Sequence, residues 1–84
     1  MNLIPFSLSQ QIYNQGGSVE SNCNGMTFIN IGTDTVTVLG YPLIANASFT
    51  PPCNVGEIDK TNYIVQFAGA TSNQTLLVIR KNYA

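Results

Sequence analysis

Charge is what this chain has least of. Glu20, Asp34, Glu57 and Asp59 stand against Lys60, Arg80 and Lys81, so that 8% of its 84 residues are charged, where a soluble domain typically carries about 25%. The net charge is −1. No basic cluster is present to neutralise phosphates, which argues against nucleic acid as a partner. Histidine is missing altogether. Its absence removes Ser-His-Asp and Cys-His catalysis, and two cysteines are too few for a structural zinc site. No apolar run approaches the roughly 18 residues that a membrane span requires. No apolar pattern at the helical period persists over about ten residues, so amphipathic helices are not expected. Met1-Asn2-Leu3-Ile4-Pro5 has neither the basic region nor the apolar run of a secretory signal, and export is not expected either.

What remains is a chain of short β-type runs. Its centre is Thr27 to Phe49, where Thr27 to Ile31 and Thr35 to Leu39 flank Gly32-Thr33-Asp34. This reads as a hairpin. Thr35-Val36-Thr37-Val38 alternates hydroxyl and aliphatic side chains, which sends the valines to a core and the threonines to solvent. Before it, Phe6 and Leu8 alternate with Ser7 and Ser9 in residues 1–15. That stretch reads either as a first strand docked on its own sheet or as an extended arm that anchors in a neighbour. Gly16-Gly17-Ser18 marks a turn, Val19 to Cys23 a short strand, and Asn24-Gly25 a second hairpin turn. After it, Pro42 marks an edge or a bend, and Ala45-Asn46-Ala47 a tight turn. Pro51-Pro52 stiffens a loop, and Asn62 to Ala68 is a strand. Gly69 to Asn73 is a polar turn. Gln74 to Asn82 is a final strand, apolar on both faces through Leu76, Leu77, Val78 and Ile79, as in a strand central in a sandwich or pressed against a partner.

These signals predict one all-β domain over residues 1–84, a small antiparallel β-sandwich or barrel of about six to eight short strands. A domain this short buries only about 60 to 65% of its unfolded surface, and its core rarely supplies more than about 3 to 5 kcal/mol. Added support is therefore expected. One source is a disulfide between Cys23 and Cys53, stabilising by roughly 3 to 4 kcal/mol in the chain-entropy model. The other reading leaves two buried thiols packed as small hydrophobes. A third route is cover from neighbouring subunits, which would also explain the scarcity of charge.

Catalytic candidates are thin. Glu57 and Asp59 would share a strand face, the arrangement of a carboxylate pair, but a solvated turn accounts for them. Asp59, Thr61 and Asn62 offer a single certain carboxylate to calcium. Asn46-Ala47-Ser48 and Asn73-Gln74-Thr75 match the glycosylation pattern, which chance explains in a chain so rich in Asn, Ser and Thr. Tyr13, Tyr41, Tyr63 and Tyr83 suit packing and interfaces at least as well as sugar stacking. The chain reads as no enzyme and calls for no cofactor or metal.

Gly32 to Phe49 resembles a pattern of small β-structured bacteriophage virion proteins, namely capsid decoration, spike and fibre-base modules. Gly32, Val36, Val38, Gly40, Leu43, Ser48 and Phe49 fit it, and Asn46 stands where Gly is usual. The resemblance covers 18 residues and implies a structural virion protein, assembled in the host cytoplasm as trimers or pentamers together with other capsid proteins. Under that reading the interface residues are Phe6, Leu8, Tyr13, Leu77, Ile79 and Tyr83. Two alternatives come from other classes: a carbohydrate- or receptor-binding module, with aromatics on an exposed face, and a secreted inhibitor-like domain stapled through Cys23 and Cys53.

Overall fold

A computed structural model describes residues 5–68 and 74–83. The predicted turn at Gly69 to Asn73 and the glycosylation match at Asn73 lie outside these residues. The described chain forms β1 (Phe6–Tyr13), β2 (Gly17–Glu20), β3 (Met26–Asn30), β4 (Val36–Val38), β5 (Tyr41–Leu43), β6 (Ser48–Phe49), β7 (Asn62–Phe67) and β8 (Leu76–Tyr83). They build two antiparallel four-stranded sheets, ordered β1-β8-β3-β6 and β2-β7-β4-β5. Phe28 of the first sheet packs its ring 5.0 Å from that of Tyr63 in the second. The fold is thus an all-β sandwich, one of the two architectures, sandwich or barrel, expected from the sequence.

Buried side chains come from both sheets: Met26, Phe28, Leu76 and Val78 from one, and Val19, Val36, Val38, Leu43, Tyr63 and Val65 from the other. Each sits at every second position of its strand, because successive strand residues face opposite sides. β1 adds no buried residue and only Tyr13 at the margin.

Both predicted hairpins are overturned. β3 and β4 belong to different sheets, as do β2 and β3, so neither Gly32-Thr33-Asp34 nor Asn24-Gly25 closes a hairpin. The reason lies in buried asparagines at the crossings. The Asn30 amide donates to the carbonyls of Asp34 (2.8 Å) and Leu43 (2.9 Å), and its oxygen accepts from the Gly32 N–H (3.0 Å). Ile31 and Gly32 then donate to the Thr75 carbonyl, which holds the chain beside the entry to β8 instead of turning it back along β3. Asn24 likewise spends its amide on the carbonyls of Asn54 (2.9 Å) and Glu57 (2.6 Å). Among the described strands, only β4 and β5 are consecutive strands of one sheet. Their two-residue turn is Leu39-Gly40, both with positive φ (50° and 88°), as a type I′ turn requires. Pro42 lies on the edge strand β5, where a missing N–H costs nothing. Asn46 takes the left-handed conformation (φ 69°), closing the predicted tight turn.

Candidate functional site

The two sheets present very different outer faces. Antiparallel partners lie on the same side of a sheet, so register and alternation assign each face. On the β2-β7-β4-β5 sheet the outward residues are Ser18, Glu20, Asn62, Ile64, Gln66, Thr37 and Pro42, a polar surface apart from Ile64 and Pro42. On the other sheet, Phe6, Leu8, Gln10 and Ile12 of β1 stand opposite Tyr83, Lys81, Ile79 and Leu77 of β8. Thr27 and Ile29 of β3 continue the row. This face is predominantly apolar, and on it Phe6, Leu8 and Ile12 are 54%, 65% and 59% exposed.

β1 is amphipathic in the inverted sense. Its side toward the sandwich interior carries Ser7, Ser9, Gln11 and Tyr13, and its apolar side points away. The interior side is held by polar contacts: Arg80 donates to the Glu20 carbonyl (3.0 Å), to Gln11 Oε1 (3.3 Å) and to the Tyr13 hydroxyl (3.2 Å), and Asn82 donates to Ser9 Oγ (3.0 Å). On the apolar side, the Lys81 ammonium lies 4.8 Å from the Phe6 ring centre.

One end of the apolar face is flanked by the proline loop. Gly56 N–H donates to the Tyr83 hydroxyl (2.6 Å), and Thr27 and Thr50 share a hydroxyl hydrogen bond (3.1 Å). Between loop and sheet runs a groove of about 390 Å³ lined by Leu8, Thr27, Pro51, Pro52, Val55 and Ile79, among others. A second, more open groove of about 700 Å³ lies at the β5–β6 margin of the sandwich, with Leu39, Tyr41, Phe49, Ile58 and Lys60 on its walls. There the Tyr41 ring stacks on Phe49 at 4.8 Å and stays 57% exposed.

Glu57 and Asp59 do not form a carboxylate pair. Glu57 Oε1 accepts from the Asn54 N–H within the loop (2.8 Å). Asp59 bridges backbone to Cys23 and accepts from the Tyr63 hydroxyl (2.6 Å), the Thr61 N–H (2.8 Å) and the Ser21 hydroxyl (3.3 Å). Burial works to raise the Asp59 carboxyl, but these hydrogen bonds outweigh it and hold the group below the ordinary aspartate value. Burial, reinforced by the bond to Asp59, pushes the Tyr63 phenol up to about 12. The cluster is a clamp fixing the segment before β7, in place of the solvated turn expected there. Cys23 is buried and Cys53 half-buried, both as free thiols. Burial raises the Cys23 thiol, so it packs as a hydrophobe. Among the described residues, no three acidic, Cys or His side chains gather as a metal site.

Of the residues proposed for an interface, Phe6, Leu8, Leu77, Ile79 and Tyr83 come together on the apolar face, while Tyr13 lies on the opposite side of β1. Ile12 and Ile29 complete the face, and Ile29 was legible only through strand register. Ile12 continues the two-residue alternation of Phe6 and Leu8, a signal that Gln10 interrupts. No helix among the described residues is long and apolar enough to cross a membrane. No protein-family model, curated protein or solved structure matches the chain.

Proposed function

We propose that the protein is a structural subunit that works by packing, burying the outer face of β1, β8 and β3 against copies of itself. The observation that carries this is the contrast between the two outer faces: a sandwich free in solution would be expected to be polar on both, and contiguous apolar surface marks an interaction site. Each Leu, Ile or Phe side chain taken fully from water contributes about 1.5 to 3 kcal/mol, support that a core of this size needs. Within that role we assign the chain to the bacteriophage virion as a small capsid-associated protein, on the strength of the Gly32 to Phe49 resemblance.

Ile79→Asp tests the packing role. It places a carboxylate at the centre of the face, and the expected result is loss of self-association, read as native mass, with an unchanged far-ultraviolet spectrum. Assembly that survives the substitution would overturn the assignment of this face. Antibodies raised against the protein should decorate phage particles from its source, and labelling confined to soluble host fractions would refute the virion assignment.

The exposed Tyr41 ring beside the β5–β6 groove favours a second reading, a carbohydrate-binding margin, since aromatic faces are natural platforms for apolar ring faces. A reproducible glycan preference abolished by Tyr41→Ala would support it, and an array without hits would dismiss it.

A further inference from the structure

Each sheet has two edges, and an edge strand offers unpaired N–H and C=O groups to any chain that can pair with them. Proteins blunt such edges with short strands, proline, bulges or charge. Three of the four edges here are blunted: β6 is two residues long, β5 has three with Pro42 at its centre, and β2 has four and ends on Glu20. β1 is different. It runs eight residues, Phe6–Tyr13, with no charge, no proline and no glycine, and it is exposed on both faces until Tyr13.

We propose that β1 pairs edge to edge with β1 of a second copy, antiparallel about a two-fold axis through Ser9, joining two four-stranded sheets into one of eight. The inference rests on the assembly reading of the same sheet. A second copy is the occupant because the strand is self-complementary: it has no charge to match against a charged partner and none to repel its own image. A two-fold axis normal to the sheet keeps the apolar sides together. Centred on Ser9, it sets Phe6 against Ile12 of the second copy and Leu8 against Gln10, on the same side of the sheet. Ser7 then meets Gln11, and Ser9 meets Ser9. Shifting the axis to Gln10 would set Phe6 against Asn14, beyond the strand. The Ser9 register gives Phe6, Leu8 and Ile12 each a partner inside it. The resulting sheet carries one uninterrupted apolar face of double width. Such pairing builds even-numbered assemblies, in place of the trimer or pentamer that the resemblance implies.

Cysteine cross-linking tests the register. Opposed residues of an antiparallel pair lie about 4.5 to 5.5 Å apart at Cα, within disulfide reach. In a Cys53→Ser background, Ser9→Cys under copper–phenanthroline oxidation should give a covalent dimer of about twice 9.1 kDa. Ser7→Cys alone should not, because its two copies would stand roughly 14 Å apart. A mixture of Ser7→Cys and Gln11→Cys chains should cross-link. Native mass, measured by light scattering on the same samples, separates the two claims. A multimer without a Ser9→Cys cross-link, or one that cross-links equally well through Ser7→Cys alone, overturns the pairing and leaves assembly by the apolar face standing. A monomer that never cross-links overturns both.

Discussion

Asn30 is the residue on which the crossing from one sheet to the other depends. Its side chain is fully buried and saturates three backbone groups. Asn30→Ala removes the donor that Asn30 gives the buried Leu43 carbonyl, and a buried group left unsatisfied costs about 1 to 3 kcal/mol. The expected loss is about 2 to 3 kcal/mol, read as a lower urea midpoint at unchanged slope. Leu39 is the opposite case, a branched side chain at φ 50° in a turn that favours Asn or Gly. Leu39→Asn should stabilise by about 1 kcal/mol, the size of the left-handed penalty it relieves, since the side chain is exposed and little packing is lost. The Asp59–Tyr63 pair makes stability depend on pH at both ends. The Asp59 carboxyl is lowered in the fold, so its contribution is present above the unfolded value of about 3.9 and is lost as pH falls below that. The Tyr63 phenol is raised, so its contribution is present below about 10 and is lost as pH rises toward 12. Asp59→Asn should flatten the acid limb of a stability–pH profile, and an unchanged limb would remove the clamp from the account. None of these roles was legible in sequence. Asn, Asp and Ser are turn residues by habit, and only the crossing of the sheets shows which of them are buried and saturated.

At the scale of the element, the strands were largely legible and their pairings were not. Alternation in Val36-Thr37-Val38 and Tyr63-Ile64-Val65 fixes which side chains enter the core, because the two-residue period is local. Pairing is set by connections between distant segments, and here nearly every connection crosses the sandwich, so neighbours in sequence are seldom neighbours in a sheet. The short Gly and Asn segments that suggested hairpins serve as corners instead. β1 shows the limit most clearly. Its alternation of Phe6, Leu8 and Ile12 with Ser7, Ser9 and Gln11 is plain, but the pattern says only that one side is apolar, and the side turned toward the core is the polar one. Leu8→Lys and Ile12→Lys follow directly as tests. Both positions are more than half exposed in the single chain, so Ile12→Lys should shift stability by no more than about 0.5 kcal/mol, and Leu8→Lys, which stands opposite Lys81, by up to about 1 kcal/mol. Each should nonetheless abolish self-association, because a charge would then be buried at the contact.

For the whole molecule, the proposal ties the scarce charge to the apolar sheet face, as a domain that keeps one side for solvent and offers the other for contact. The composition only raised the expectation of cover. It did not say where, since that requires knowing that β1 and β8 pair along eight residues and that their apolar positions coincide on the outside. The native mass of the purified protein, followed by light scattering from nanomolar to high micromolar concentration beside the Leu8→Lys/Ile12→Lys double variant, tests this most directly. The account predicts a defined, even-numbered multimer of 9.1 kDa chains for the natural sequence and a folded monomer for the variant. A natural chain that stays monomeric across the whole range would contradict it.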